Sequence, residues 1–381
     1  MITTINNKHN KLNVPNLRFP EFQGEWEKCI LGDITENFNL RNKDKIQYPM
    51  FSVTNDRGFV PQSEQFEGRD MVGEDIKAYK IIHTNDFAYN PARINVGSIA
   101  MYTGEKPCMI SSLYVCFKTA KEVNNEWLMQ LLKTPKMNYY YNVNGEGGVR
   151  VYLFYPNFAR IKMSIPKIEE QKKIAKLLNL LDERIATQSK IIDKLQSLIK
   201  GLSNKIFESL QGQECRLGDI ATITNGNSNV QDAITEYKDD LYPFFDRSEE
   251  IKYLPTFLFD KEAIIYPGEG AEFFPRYFNG KFALHQRCYA IFDFNKAVNP
   301  QFLFCFLKTQ NSYFIRNAVG STVPSLRLDT FQKLKVVVPS KETQSIVSSL
   351  LFTLEKKHNT EKMLLQTLLK QKHYLLRQMF I

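Results

Sequence analysis

The chain has few of the residues that build covalent or metal-bound frameworks. Its 381 residues include only six cysteines and five histidines. The cysteines form no CxxC pair, and no histidine stands near them at metal-ligand spacing. These features argue against a disulfide framework and against a zinc site. The six positions are Cys29, Cys108, Cys116, Cys215, Cys288 and Cys305.

Long apolar runs are absent as well. No stretch approaches 18 consecutive apolar residues, and the first residues are polar, without the apolar core of a secretory signal. With 43% hydrophobic and 24% charged residues, the composition is that of a globular protein with two or three domains. We therefore expect no membrane segment and predict a cytoplasmic protein.

Familiar catalytic signatures are missing too. The sequence has no Walker A motif and no HExxH. The run Asn90-Pro91-Ala92-Arg93 lacks the second proline and the aromatic residue with which an amino-methyltransferase holds a flipped base. The E-x-K triplets at 250–252 and 355–357 fit a nuclease pattern that is too short to be specific. We predict no catalysis, and the net charge of +9 favours an anionic partner such as nucleic acid.

The sequence contains an internal repeat of about half its length. Residues 165–171 align with 338–344 at an offset of 173, pairing proline with proline, glutamate with glutamate and glutamine with glutamine. The same offset continues through the leucines that follow. Upstream, LGDI at 31–34 recurs at 217–220, and LKT at 132–134 recurs at 307–309. The common order of these matches predicts a pseudo-twofold molecule.

Each copy ends in a segment that predicts a long helix. Apolar residues follow alternating steps of four and three, which is the heptad pattern of a coiled coil. About 39 residues at roughly 1.5 Å each give a helix of about 58 Å, too long for one small domain to cover. We expect the two helices to pair antiparallel; burial in an ordinary helix bundle is the alternative. The expected pairing residues are Ile174, Leu178, Leu181, Ile185, Gln188, Ile192, Leu195, Leu351, Leu354, Glu361, Leu365 and Leu368.

Two of these positions are polar and occupy equivalent places in the middle of the helices. We expect Gln188 and Glu361 to lie near the pseudo-dyad and to form a polar layer that fixes the register of the pair. The second helix also has the polar residues His358 and Lys372 in its heptad seam, so its seam is the less apolar of the two.

The remaining parts predict two mixed α/β domains. Short β-like and aromatic runs occur at 81–82, 98–102, 113–117, 263–266, 288–292 and 334–338. One helix is expected before each LKT, at 126–133 and 301–308. The fold class is thus α+β, with two mixed domains separated by long antiparallel helices. The predicted divisions are a leader at 1–30, domains at 31–164 and 211–337, and helical segments at 165–210 and 338–381.

Arginines and amides are interleaved with aromatic residues in several polar loops. Arginine and lysine read guanine, and asparagine and glutamine read adenine, by paired hydrogen bonds in the major groove, while other basic groups contact phosphates. Taken singly, any such arginine is more often a surface or structural residue. The candidate DNA-binding residues are Arg41, Lys43, Arg57, Asn90, Arg93, Asn95, Arg150, Asn225, Asn227, Asn229, Arg247, Arg276, Gln286, Arg287 and Arg327.

Three runs resemble the specificity subunits of type I restriction-modification systems. The opening run at 17–34, LRFPEF followed by GEW and LGDI, is similar to the start of many of these subunits. The run at 89–98 resembles one frequent in their target-recognition domains, and 165–175 is similar to the start of their central helix. The second copy departs from the pattern, with Pro267 to Glu272 in place of the NPxR run.

The resemblance implies two target-recognition domains, each reading one half of a split sequence in double-stranded DNA, held apart by the paired helices. It implies two methyltransferase subunits as partners, which would bring S-adenosylmethionine for adenine-N6 methylation. Motor-nuclease subunits would bring ATP and magnesium for translocation and cleavage. No cofactor is expected on this chain itself. Half-sites read from one side of a duplex would have centres roughly 34 Å apart, and the unlike domains imply an asymmetric target.

Two alternatives remain open at this point. A stand-alone DNA-binding or coiled-coil interaction protein would bind DNA tightly and specifically as the isolated chain. A nuclease with a cryptic site would show metal-dependent cleavage by this chain alone.

Overall fold

The computed structural model describes residues 3–4, 12–65, 76–147 and 151–381. Contacts divide the chain into two compact units. Unit 1 comprises the chain up to Gln188 together with Leu364–Ile381, and unit 2 comprises Ser189–Met363. Both units combine short strands with helices, which confirms the predicted fold class. The finer division into a leader, two domains and two helical segments stays a prediction.

The described residues of unit 1 form twelve strands, the first in chain order, and five short helices. Its strands are β1 (Thr3–Thr4), β2 (Leu17–Arg18), β3 (Glu27–Ile30), β4 (Thr35–Phe38), β5 (Phe51–Thr54), β6 (Gly58–Pro61), β7 (Lys80–Ile82), β8 (Phe87–Tyr89), β9 (Ile99–Met101), β10 (Cys108–Ile110), β11 (Val115–Thr119) and β12 (Lys162–Ile165). Its short helices are α1 (Leu31–Ile34), α2 (Gln62–Gln65), α3 (Asn125–Leu132), α4 (Pro135–Asn144) and α5 (Tyr155–Ala159). The long helix α6 (Ile168–Ser209) begins in this unit.

Unit 2 repeats much of this order with longer strands. Its strands are β13 (Gln213–Arg216), β14 (Thr222–Asn225), β15 (Tyr242–Phe245), β16 (Lys252–Leu254), β17 (Phe259–Pro267), β18 (Arg276–Leu284), β19 (Cys288–Phe292) and β20 (Lys335–Val338). Its helices are α7 (Leu217–Ile220), α8 (Pro300–Lys308), α9 (Asn311–Asn317), α10 (Leu328–Gln332) and the start of the long helix α11 (Lys341–Gln378).

The main sheets of the two units share one strand order. Unit 1 has β4-β11-β8-β9, and unit 2 has β14-β19-β17-β18 extended by β15 and β16. Residue registers show that β17 spans the places of β7 and β8, and that β18 spans those of β9 and β10. A parallel contact of Met50 with Met109 likewise corresponds to the parallel pairing of Phe244 with Ala283. The duplication read from the sequence is therefore a duplication of topology.

The long helices pair antiparallel within each unit. In unit 1 the start of α6 and the end of α11 share one core, which includes Leu178 and Leu368. In unit 2 the end of α6 and the start of α11 share another, which includes Phe207 and Leu351. Ser340 accepts a hydrogen bond from the backbone N–H of Thr343 at 3.2 Å, so it caps α11.

The repeated glutamine fastens each long helix to its own unit. Gln171 accepts from the N–H of Asn124 at 2.8 Å and donates to the carbonyl oxygens of Pro166 at 2.8 Å and Glu122 at 3.3 Å. Gln344 makes the same three contacts, with Asn299 at 2.7 Å and with Ala297 and Pro339, both at 2.9 Å. Both side chains are buried. The repeat at 165–171 and 338–344 thus preserves the same set of three hydrogen bonds in both units.

The opening run of the sequence packs against the start of α6. The Arg18 guanidinium makes two hydrogen bonds to the Glu170 carboxylate, at 2.8 and 2.7 Å, and the Trp26 indole donates to the same group at 3.3 Å. Arg18 and Glu170 are both buried, and Lys173 lies over the ring of Phe19. The leader residues from Leu12 onward that the structure describes are therefore part of the unit 1 fold.

Candidate nucleic-acid interface

A cleft in unit 1 gathers three of the candidate residues. Its lining comes from the turn after β5, the loop after β8 and the residue before β11. Arg57 and Arg93 are exposed, and Asn90 is half-buried. We name this cleft 1; its lining is Ser52, Val53, Thr54, Asn55, Asp56, Arg57, Asn90, Arg93 and Tyr114.

The loop after β8 is fixed by its own hydrogen bonds. The Asn90 side chain accepts from the N–H of Ala92 at 3.0 Å, and the Ser98 hydroxyl donates to the Val53 carbonyl at 2.7 Å. Gly97 has φ +103°, and a Cβ there would lie 2.9 Å from the Asn55 carbonyl oxygen. Glycine is therefore required for the loop carrying Arg93 to approach the turn carrying Arg57.

A second cleft gathers candidates in unit 2. It combines the turn after β15, the loop after β17 and the segment before β19. Arg247, Gln286 and Arg287 are exposed on it. We name this cleft 2; its lining is Val230, Asp246, Arg247, Ser248, Lys252, Glu269, His285, Gln286, Arg287 and Cys288.

The turn that presents Arg247 is held by the buried carboxylate of Asp246. Asp246 accepts from the Ser248 N–H at 2.7 Å, from the Ser248 hydroxyl at 2.6 Å and from Lys252 at 2.7 Å. Burial alone would raise the pKa of Asp246, but the hydrogen bonds from Lys252 and Ser248 lower it. The Arg276 guanidinium donates to the carbonyl oxygens of Asp246 and Ser248. Arg276 is thus half-buried and hydrogen-bonded to the turn. Its contact with DNA stays a prediction.

His285 positions the backbone of Arg287. Its Nδ1 accepts from the Arg287 N–H at 3.2 Å, which requires that nitrogen to be unprotonated. Loss of hydration lowers the pKa of His285, with Arg287 and Arg247 adding to the effect and Asp246 and Glu269 opposing it. The neutral ring that the hydrogen bond needs is therefore the favoured form.

The two clefts occupy equivalent places in the strand order of the two units. In both, an Asp-Arg dipeptide follows the same strand: Asp56-Arg57 after β5 and Asp246-Arg247 after β15. Cleft 1 has two arginines and one carboxylate, whereas cleft 2 has three cations and two carboxylates. One framework therefore carries two different sets of hydrogen-bonding groups.

The other candidates within the described residues do not line either cleft. Asn95 donates to Asn142 at 3.0 Å, and Asn225 donates to the Gln286 carbonyl oxygen at 3.3 Å, so both serve local structure. Arg150 lies outside the described residues. The remaining exposed positions are Arg41, Lys43, Asn227, Asn229 and Arg327.

Several residues of the clefts were not singled out by sequence reasoning. Tyr114 accepts from the Val53 N–H at 3.2 Å, and Glu269 forms an ion pair with Arg287. Glu269 stands in the segment that departs from the NPxR run. The Asp-Arg dipeptide repeated at 56–57 and 246–247 is the signal that would have marked both turns.

The expected pairing residues are all buried or half-buried. Buried members are Ile174, Leu178, Leu181, Gln188, Ile192, Leu351, Glu361 and Leu368, and half-buried ones are Ile185, Leu195, Leu354 and Leu365. Glu361 also forms an ion pair with Lys357 one turn earlier, at 2.5 Å. The polar layer of Gln188 with Glu361 stays a prediction.

At least one charged residue in each of the E-x-K triplets at 250–252 and 355–357 forms an ion pair outside its triplet. Lys252 pairs with Asp246, and Glu355 pairs with Lys308, the lysine of the second LKT. Across the described ranges, no group of three or more His, Cys, Asp or Glu side chains is arranged to hold a metal ion. In the same ranges, no helix has the length and apolar character to cross a membrane.

The structure thus defines a duplicated α/β protein with paired antiparallel helices and with clefts 1 and 2 at equivalent positions in the two copies. The family model described as "Type I restriction modification DNA specificity domain" matches residues 23–197 and 212–370. The chain belongs to this family, which confirms the resemblance noted in its sequence.

Curated relatives and solved structures agree with this assignment. A putative type I restriction enzyme MjaX specificity subunit from Methanocaldococcus jannaschii is 26% identical over 51% of this chain. The type I restriction enzyme EcoDI specificity subunit from Escherichia coli is 29% identical over 36% of it. These alignments span only 48% and 30% of the relatives' own lengths.

Among solved structures, the chain is similar in fold to a type I restriction-modification S subunit from M. genitalium. That match has a TM-score of 0.65 at 16% identity and covers 97% of this chain and 99% of the other. A chain from a study of assembly and conformational transition of the type I R-M system matches with a TM-score of 0.57 at 13% identity, covering 92% and 96%. At these identities the likeness shows the fold.

Proposed function

We propose that this chain is the DNA-recognition subunit of a type I restriction-modification complex, and that clefts 1 and 2 each read one half of a bipartite target. The observation that carries the proposal is the repeated cleft: each unit presents arginine and polar side chains from three equivalent places in its order of strands. Because those side chains differ, the two half-sites differ and the target is asymmetric.

The exposed side chains on the clefts contact the DNA bases directly in this proposal. Arg57 and Arg93 in cleft 1, and Arg247 in cleft 2, form no ion pair with any described residue. Their guanidinium groups are therefore available for guanine or phosphate. Basic residues outside the clefts, such as Arg41 and Arg327, supply the salt-dependent contact with the DNA backbone.

The long helices set the distance between the half-sites and dock two methyltransferase subunits. Those partners supply S-adenosylmethionine and adenine-N6 methylation, and motor-nuclease subunits add ATP, magnesium and cleavage. The described part of this chain presents no metal-ligand cluster of its own. Its contribution is selection of the sequence on which the partners act.

The test is a genome-wide map of adenine methylation in cells that express the chain with the methyltransferase subunit of its system. We expect one asymmetric motif of two short blocks separated by unread bases. A continuous motif, or no motif, would contradict the proposal. Exchange of residues 31–164 for the corresponding domain of another subunit should change one block only.

Assays with the purified chain test the alternatives. Tight, specific DNA binding by the isolated chain would favour a stand-alone binding protein. Metal-dependent cleavage by the isolated chain would favour a nuclease. The proposal expects specific binding and methylation to depend on the methyltransferase subunit.

A further inference from the structure

Cleft 2 contains an ion pair whose geometry leaves hydrogen-bonding capacity on both partners. Arg287 Nη1 contacts both carboxylate oxygens of Glu269, at 2.8 and 3.0 Å. The Nη2 and Nε edge of the guanidinium makes no hydrogen bond with any described residue, and the Arg287 side chain is 62% exposed. The carboxylate of Glu269, at 18% exposed, retains further lone pairs.

Both residues are held in place through their backbones. The loop of Glu269 is fixed because Gly270 donates to the Pro324 carbonyl at 3.0 Å and Leu326 donates to the Gly268 carbonyl at 2.7 Å. A Cβ on Gly268 would lie 2.1 Å from the Arg287 carbonyl oxygen, so only glycine permits this approach of the two segments. With His285 fixing the N–H of Arg287, the pair is a positioned unit.

The equivalent part of cleft 1 carries no such pair. Its loop after β8 presents Asn90 and Arg93, and the residue before β11 is Tyr114. An acid at the loop position is therefore specific to cleft 2. A carboxylate at this position repels the DNA phosphates. In a cleft that reads DNA, we therefore expect the carboxylate to accept a hydrogen bond from a base.

We propose that Arg287 and Glu269 together read one G·C base pair in the half-site of cleft 2, an inference that rests on the proposed function. The free edge of Arg287 offers two parallel donors that match O6 and N7 of guanine. The Glu269 carboxylate accepts from N4 of the paired cytosine. An A·T pair would place thymine O4, an acceptor, against the carboxylate.

The experiment compares Glu269→Leu and Arg287→Gln in the full chain, assembled with the methyltransferase subunit. The probe is a library of duplexes randomised in both half-sites, and the readout is the relative methylation rate for each base pair at each position. Glu269→Leu should lower the preference for one G·C pair roughly tenfold to a hundredfold. Arg287→Gln should shift that position towards A·T, because an amide pairs with adenine.

Glu214→Leu is the matched control. It removes a glutamate of the same unit from an ion pair with Lys335 at 2.8 Å, outside the cleft. We expect it to leave all base preferences unchanged, as both cleft variants should leave the other half-site unchanged.

Two kinds of failure are distinguishable. A wild-type complex without a bipartite motif refutes the proposed function and the inference with it. A bipartite motif that lacks a G·C pair in this half, or whose preference survives Glu269→Leu, refutes the inference alone. Thermal unfolding of each variant confirms that the chain has folded.

Discussion

The buried glutamine that fastens α11 to unit 2 offers a sharp test of how the repeat works. We predict that Gln344→Leu destabilises unit 2 by about 3 kcal/mol, roughly 1 kcal/mol for each of three hydrogen bonds lost. The removed contacts are those with the Asn299 N–H and with the carbonyl oxygens of Ala297 and Pro339. Leucine keeps most of the volume, so the loss is polar and leaves no large cavity.

The assay is urea denaturation combined with hydrogen exchange. The Asn299 amide proton should exchange faster in the variant, because its acceptor is gone. Exchange in unit 1, where Gln171 is untouched, should stay at the wild-type rate. Glu342→Gln changes an exposed residue in the same turn and should alter the free energy of unfolding by under about 0.5 kcal/mol.

A charged variant gives the reasoning a pH signature. In Gln344→Glu a carboxylate would face the two carbonyl oxygens, so the folded state favours the protonated acid and its folded pKa lies above the unfolded value of about 4.3. Stability is then highest below that unfolded pKa and falls as the pH rises through the folded one. If Gln344→Leu costs under about 1 kcal/mol, or Gln344→Glu shows no recovery in acid, the hydrogen-bond explanation of the repeat is refuted.

Three further predictions concern other parts of the molecule. Arg18→Met should destabilise unit 1 by about 3 to 5 kcal/mol, because it leaves the buried Glu170 carboxylate without its cation, and adding Glu170→Gln should restore much of the loss in urea denaturation. Gly97→Ala should displace the loop of Arg93 and weaken methylation specificity in one half-site only, whereas a change in both halves would contradict separate clefts. The lowered pKa of His285 means that the neutral ring stabilises the fold above the unfolded pKa, and that this stabilisation is lost as the pH falls through the folded value; an NMR titration that placed its pKa at or above about 6.5 would contradict this.

Much of the fold follows from local signals in the sequence. The heptad pattern predicts both long helices, and the apolar runs predict strands within a few residues of β7, β9, β11, β17, β19 and β20. The helices expected at 126–133 and 301–308 are α3 and α8, which begin one residue earlier behind the caps Asn124 and Asn299. These features depend on neighbours in the chain, which is why a single sequence reveals them.

The clefts depend on distant segments, and sequence reasoning locates them only in part. Arg57 and Arg93 line one cleft because the loop after β8 lies against the turn after β5, where the Ser98 hydroxyl donates to the Val53 carbonyl. Composition gives no sign of that contact. The sequence does not mark Glu269 as a candidate, because an acidic residue is not typical of DNA binding. Its contact with Arg287 appears only in the structure.

The two copies share buried residues that hold the fold together, and they differ in the residues of their clefts. The residues that match best, Gln171 with Gln344 and the leucines of the two LGDI runs, are buried and hold each helix or strand to its unit. The clefts carry residues that differ, with Glu269 in place of Asn90 and Arg93 on the loop, and Arg287 in place of Tyr114 before the next strand. A duplicated framework with retained fastening contacts can therefore change one cleft without disturbing the fold of either unit. Under the proposed function, this separation lets one half of the target change while the other is kept.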